Sequence, residues 1–364
     1  MIYETTTLPR NYQHPQSALE RLYNSTGREP RTICVTGGTG SFGQAFAHYL
    51  LTSTPHHVRI FSRDEHKQEE MWSSCPPGPR LTYIIGDVRD RERLCAAFDG
   101  VDCVVHAAAL KIVRTGEINP DEVMKTNSGG SHNVVEAALA AAVKKTLLIS
   151  TDKAVSPIND YGVSKAQAER LFISANVKGV SRACAFSAVR GGNVWDSRGS
   201  VSERWYKAAL AGEPLMVSDG RATRFHMLMA DWTRFCYHAL TEMSGGEIFV
   251  PVVRAWNLQA LADAFYPAKQ IALDKRNGDK LHETLINSDE MQRARDRTWA
   301  YVVEPPSDIR SVWNYRDGTG ARVASDFLYS SDSVDRLTVD ELRRLIGERW
   351  LNKQNMTCLM NGLH

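Results

Sequence analysis

The chain has 364 residues, 43% of them hydrophobic and 24% charged, a composition that supports a full apolar core and excludes wholesale disorder. A formal net charge of +2 gives no field that would hold nucleic acid or an anionic membrane, so any phosphate-bearing ligand must be gripped by local groups. No apolar stretch has membrane-spanning length, and the polar N-terminus lacks the pattern of a signal peptide. Seven cysteines (34, 75, 95, 103, 184, 236 and 358) show no metal-type spacing and read as reduced thiols of a cytoplasmic protein.

Residues 1–30, with Pro9, Pro15 and Pro30, read as a polar arm ahead of the fold. Apolar, β-rich runs then fall near 31–36, 57–62, 81–86, 101–106, 145–150 and 182–189, with helix-like segments such as 42–52, 90–98, 121–142 and 161–175 between them. Short, continuously apolar strands alternating with helices predict an α/β fold: a doubly wound Rossmann parallel sheet covered on both faces, over 31–190. Beyond it the alternation becomes irregular, and 191–330 is expected to form a smaller mixed substrate lobe interleaved with the Rossmann core, closing over the crevice at the strand ends. Residues 331–364 read as a C-terminal helix and tail, with Thr338 and Glu341 spaced as a capping box.

The first strand runs into Thr36-Gly37-Gly38-Thr39-Gly40-Ser41-Phe42-Gly43 and opens a helix. Glycines at this spacing let the backbone approach a pyrophosphate whose charge sits at the helix N-terminus, so Gly37, Thr39, Gly40, Ser41, Phe42 and Gly43 are candidate cofactor contacts. A glycine cluster alone also makes ordinary turns; the strand–loop–helix context favours the nucleotide. The second strand ends in Ser62-Arg63-Asp64, with Lys67 one turn on. A hydroxyl, a guanidinium and an amine suit the 2′-phosphate of NADP, while Asp64 keeps NAD open. Asp87 and Val88 end the third strand, where Asp87 could accept from the adenine amino group, and Ala107, Ala108 and Ala109 end the fourth, where small side chains let a cofactor lie flat.

The fifth strand ends at Thr151-Asp152-Lys153, and Tyr161 and Lys165 follow on one face of the next helix. An ammonium beside a phenol favours the phenolate, which can take a proton from an alcohol during hydride transfer. An added carboxylate and amine are superfluous for simple oxidation. They make sense where a second proton is removed and a hydroxyl expelled.

These motifs make the chain resemble the extended short-chain dehydrogenase/reductases, and more narrowly the inverting UDP-N-acetylglucosamine 4,6-dehydratases of polysaccharide and pseudaminic-acid synthesis. The likeness rests on Val35–Gly43, Phe61–Gln68, Gly86–Asp90, His106–Lys111, Ser150–Ala154, Tyr161–Lys165, Gly192–Val194, Ser197–Ser200, Thr223–Phe225, Gly278–Glu283 and Leu337–Leu342. It implies that Tyr161, helped by Lys165 and Thr151, deprotonates the sugar C4 hydroxyl, that Lys153 removes the C5 proton, and that Asp152 protonates the departing C6 hydroxyl. It adds Lys111 and Asn127 to the cofactor contacts. It makes Lys111, Asn193, Arg198, Ser200, Thr223, Arg224, Lys280, His282 and Glu283 candidates for holding a UDP-sugar, and it implies a homo-oligomer. A 4-epimerase would need Tyr161 and Lys165 but neither Asp152 nor Lys153; a non-catalytic NADP-binding protein would need none of the four. Two departures stand out: Ile112-Val113-Arg114 where the family commonly has His-Val-Pro, and Gly191 where it often has Tyr, a change expected to loosen a nearby wall.

Overall fold

The structure is a computed structural model that describes residues 31–180, 184–265, 268–272, 278–313, 315, 318–324 and 327–348. The expected N-terminal arm, most of the tail and Cys358 lie outside the described residues.

The main sheet has ten strands: β1 (Thr32–Thr36), β2 (His57–Ser62), β3 (Leu81–Ile85), β4 (Cys103–His106), β5 (Lys145–Thr151), β6 (Ala185–Gly191), β7 (Ile248–Pro251), β8 (Ala294–Asp296), β9 (Ala300–Val303) and β10 (Ala321–Arg322). Their spatial order is β10-β8-β9-β7-β6-β5-β4-β1-β2-β3. The strands β1 to β6 pair in parallel, β7 joins β6 in parallel, and β8, β9 and β10 add an antiparallel edge. This is the doubly wound order, whose chain reversal falls between β1 and β4. Every residue of β4 and β6 is buried, which is why these strands read as apolar runs and not as alternating ones.

The crossover helices are α1 (Ser41–Ser53), α2 (Glu65–Ser74), α3 (Arg91–Phe98), α4 (Val113–Ile118), α5 (Pro120–Val123), α6 (Gly130–Ala140) and α7 (Asp160–Gly179). Helix α1 buries Gly43, Phe46, Ala47 and Leu50, the i, i+3, i+4, i+7 stripe of a helix lying on a sheet. The single helix expected over 121–142 is interrupted by a π turn at Met124–Gly129. Its cause is Asn127, whose fully buried amide bonds to both backbone groups of Leu110. A widened turn reaches a neighbouring segment that a regular α-helix would leave behind.

Two compact units share the chain. The first comprises residues up to Gly191 with Leu228–Val252 and Thr284–Tyr329, and holds the whole main sheet. The second comprises Gly192–Met227, Val253–Glu283 and the stretch from Ser330 onward. It carries a three-stranded sheet (Asn193–Val194, Thr223–Met227, Ala255–Asn257) and a parallel pair (Leu215–Val217 with Gln270–Ala272). Its core packs Trp205, Tyr206, Trp256 and Leu261 against Leu342 of a helix over 339–348. That helix has the expected reciprocal cap: Glu341 N–H donates to Thr338 Oγ1 at 3.2 Å and Thr338 N–H to Glu341 Oε2 at 2.8 Å. The six described cysteines are free thiols, and no helix among the described residues is long and apolar enough to cross a membrane.

Candidate active site

The glycine loop is built for close approach. Gly37 has φ +68°, and a Cβ there would lie 2.7 Å from the backbone of Ala108. A Cβ on Gly43 would lie 2.5 Å from Gly38 Cα. The loop is anchored to the end of β2, because Phe61 O accepts from Gly37 N–H (2.8 Å) and Gly38 N–H (3.3 Å). Gly40 is the N-cap of α1, no side chain caps that end, and its first turn carries no acidic residue. A helix start without a side-chain cap, reached over a side-chain-free backbone, suits a pyrophosphate. These residues fit a dinucleotide.

The other expected cofactor residues divide. Thr39 and Ser62 hydroxyls bond each other at 2.7 Å and are buried. Phe42 stacks on Phe46 at 5.3 Å and lies 6.2 Å from Trp232. The Arg63 side chain is half-exposed, 3.6 Å from Asp87, whose carboxylate also accepts from Arg89 at 2.7 Å. Lys67 is already engaged: its ammonium pairs with Asp64, whose carboxylate also caps α2 through Lys67 N–H at 3.0 Å. Val88 is buried against Gly130, where an added Cβ would come within 2.7 Å of it. Ala107, Ala108 and Ala109 are half-buried, while Lys111 is exposed. The Asn127 amide is used up within the fold, on Leu110 and on Ser164 Oγ at 2.9 Å.

At the end of β5, Asp152–Ala154 form a 3-10 turn that N-capping by the Thr151 hydroxyl initiates. Asp152 is fully buried, and its Oδ1 accepts from Thr151 Oγ1 at 2.9 Å and from Lys153 Nζ at 3.1 Å. Thr151, expected beside Tyr161, therefore holds the Asp152 carboxylate. Asn159 Oδ1 starts α7 by accepting from Gly162 N–H at 2.7 Å. Gly162 sits so close to the turn that a Cβ there would lie 2.3 Å from Lys153 O. Tyr161 is half-buried, one turn before the buried Lys165. Lys165 Nζ donates to Ile149 O at 2.7 Å, and burial drives its pKa down to about 8, with the Glu169 carboxylate opposing. Ser156, in the connecting loop, is held at φ +45°.

Beneath the site, His106 is wholly buried between Thr36 Oγ1 (2.7 Å from Nδ1) and Ser131 Oγ (3.1 Å from Nε2), stacked on Phe172. Burial takes its pKa down to about 3, Lys165 adding to the effect, so the ring is neutral. A buried ion cluster that sequence reasoning missed joins Ser150, Glu169, Arg190 and Glu290. The Lys165-x-x-x-Glu169 spacing could have signalled the first member of that cluster; nothing local links Arg190 to Glu290. The expected loosening at Gly191 is corrected: the indole of Trp232 fills the space, lying 2.9 Å from where a Cβ would be.

In the second unit, Thr223, Arg224, Lys280, His282 and Glu283 gather into one cluster. Thr223 Oγ1 is 2.8 Å from His282 Nδ1, and the buried Glu283 lies 3.8 Å from Arg224 Nε and 4.0 Å from Lys280 Nζ. Arg224 donates to Thr223 O, Leu281 O and Lys280 O, so its guanidinium is fixed in place. Asn193 presents a buried Oδ1 that accepts no hydrogen bond. Arg198 is exposed, and Ser200 is the N-cap of Val201–Ala211, accepting from Glu203 N–H at 3.2 Å. No cluster of potential metal ligands occurs among the described residues.

A Rossmann sheet with a Tyr-Lys pair on the helix after β5 defines a dinucleotide-dependent class, and the chain belongs to the polysaccharide biosynthesis protein family, whose match spans residues 33–305. Among its relatives, a UDP-N-acetylglucosamine 4,6-dehydratase (inverting) from Campylobacter jejuni subsp. jejuni serotype O:2 is 40% identical over 311 residues, 83% of this chain and 93% of that one. A UDP-glucose 4-epimerase from Rickettsia rickettsii is 36% identical over 326 residues, 87% and 95% of the two chains. The X-ray structure of Pen from Bacillus thuringiensis superposes with a TM-score of 0.81 at 31% identity, covering 88% of this chain and 98% of that one.

Proposed function

We propose that this chain is a UDP-N-acetylglucosamine 4,6-dehydratase that uses NADP. The observation that carries the reading is the buried Asp152 bonded to Lys153 at 3.1 Å on the turn packed against the helix of Tyr161 and Lys165. The 40% identical relative from Campylobacter jejuni supports the substrate. Arg63, half-exposed at the end of β2, supports NADP, since Asp64 is engaged in capping α2 and in its pair with Lys67.

A bound nicotinamide would supply the hydride chemistry needed at C4 and C6. Tyr161, with Lys165 charged beside it, accepts the C4 hydroxyl proton and leaves a C4 ketone, which acidifies the C5 proton. Elimination then needs a neutral amine and a protonated carboxyl together. The Asp152–Lys153 contact supplies both by moving one shared proton from Nζ to Oδ1, and burial favours that neutral form over the ion pair. Lys153 takes the C5 proton, the C6–O bond breaks, and the leaving hydroxyl takes the Asp152 proton and departs as water. A proton returned to C5 as hydride arrives at C6 completes a 4-keto-6-deoxy sugar. Within the second unit, Arg224, Lys280 and Asn193 are the candidates for holding a nucleotide diphosphate.

The test is mass spectrometry of UDP-N-acetylglucosamine incubated with enzyme and NADP in heavy water. Loss of one water with deuterium at C5 is expected, and Asp152→Asn should abolish the water loss while C4 oxidation continues. The Rickettsia rickettsii relative favours a second reading, 4-epimerisation. It would give an isomer of unchanged mass, insensitive to Asp152→Asn.

A further inference from the structure

Glu169 lies one helical turn beyond Lys165, and its side chain is buried. It accepts from Ser150 Oγ at 2.6 Å, Arg190 Nε at 3.0 Å and Arg190 Nη2 at 2.7 Å. The same guanidinium donates to Glu290 at 2.7 Å and 2.6 Å and to Leu285 O at 2.9 Å. Side-chain exposure is 3% for Arg190, 5% for Glu169 and 13% for Glu290. Burial alone would raise the Glu290 carboxyl, but Arg190 holds it below its ordinary value, and the two carboxylates together raise the Arg190 pKa despite burial.

A buried ion cluster of this kind gives weak net stabilisation, since desolvation offsets most of the Coulomb gain. Its placement is more telling. Ser150 immediately precedes Thr151 and Asp152, Glu169 shares α7 with Tyr161 and Lys165, and Arg190 ends the neighbouring strand β6. The elements packed about α7 carry Tyr161 and Glu169 on its own helix, His106 on β4, Asp152 and Lys153 at the end of β5, and Arg190 on β6; of these, Glu169 and His106 interact electrostatically with Lys165. His106 is neutral and the Asp152–Lys153 pair carries no net charge, and Glu169 is the group that favours the ammonium against burial.

We propose that Glu169, Arg190 and Glu290 are positioning residues that keep Lys165 protonated, so that Tyr161 can act as base. Glu169 attracts the ammonium through a low-dielectric interior; Arg190 limits that attraction; Glu290, by neutralising Arg190, limits the limit. The inference rests on Tyr161 and Lys165 performing the C4 oxidation. It orders the variants by electrostatics alone. Glu169→Gln removes the attraction, Glu290→Gln leaves Arg190 less compensated, and Ser150→Ala removes a hydrogen bond without changing charge.

The experiment is the pH profile of kcat for water loss from UDP-N-acetylglucosamine with NADP. The alkaline limb should move toward acid by about one pH unit in Glu169→Gln and by less in Glu290→Gln, lowering the rate at pH 8 about fivefold and less respectively. Ser150→Ala should leave the limb in place. A purely structural role would lower the whole profile without moving the limb, and that result overturns the proposal. The thermal stability of the NADP-bound protein against pH needs no sugar. In Glu169→Gln the rise in stability as Lys165 loses its proton should begin at lower pH, and this difference should vanish in the Lys165→Met background. Persistence of the difference in that background also overturns the proposal. A wild-type enzyme inactive on the sugar would count against the functional reading, while the stability profile still decides on the cluster.

Discussion

Gly162→Ala separates the two halves of the proposed reaction. The new Cβ would lie 2.3 Å from Lys153 O and 3.0 Å from Pro157 Cβ. An ordinary carbon–oxygen contact is about 3.3 Å, so the turn carrying Asp152 and Lys153 must move by about 1 Å relative to α7. Alanine gains about 1 kcal/mol over glycine in a helix, while overpacking costs about 1–3 kcal/mol, so the fold survives with a Tm lowered by no more than about 5 °C. Catalysis is less forgiving, because a 1 Å misplacement costs about 100-fold. Tyr161 and Lys165 stay on the helix, so C4 oxidation should continue while elimination stalls. In a stopped-flow trace at the reduced-nicotinamide band the variant should build up absorbance that the wild type does not. Water loss within about threefold of wild type would refute the reasoning, because it would mean that the turn's position relative to α7 does not govern the elimination.

Arg63→Ala should raise KM for NADP about tenfold or more and leave KM for NAD nearly unchanged, since a charge-assisted contact to phosphate is lost while Asp87 keeps its closer partner Arg89; equal losses with both cofactors would place the 2′-phosphate elsewhere. His106 has a folded-state pKa of about 3, below its unfolded value of about 6.5. The unfolded chain therefore binds the extra proton first. His106's contribution is complete above about pH 6.5 and declines by roughly 1.4 kcal/mol per unit as pH falls toward 3. Denaturant melts of His106→Gln across that window should show a flatter acid limb than wild type; parallel limbs would remove His106 from the acid sensitivity.

The parallel sheet was legible because β1, β4 and β5 each carry three consecutive apolar residues, and because Gly37 and Gly43 stand where only a side-chain-free backbone fits. Tyr161, Lys165, Asp152 and Lys153 could be read from spacing, since a helix and a strand end fix their directions. What sequence left hidden is long-range. Arg190 and Glu290 are 100 residues apart and meet only because the chain re-enters the first unit. The internal partners of Thr151 and Asn127 are equally invisible in the sequence, because a hydroxyl or an amide takes whatever group lies nearest once the backbone is set. Gly191 looked like a lost wall because Trp232 comes from a segment with no local tie to it.

The first unit draws its strands from three separated stretches, and β9 is reached only at Ala300–Val303. Arg190, at the end of β6, finds its second carboxylate and the Leu285 carbonyl only when those later residues arrive. During synthesis on the ribosome, the nascent catalytic half must therefore wait, with a guanidinium that has only one of its two carboxylates, until 100 further residues have been added. Activity and stability thus ought to appear late and together in a series of stalled chains, and the timing of release from the tunnel becomes part of how this enzyme acquires its site.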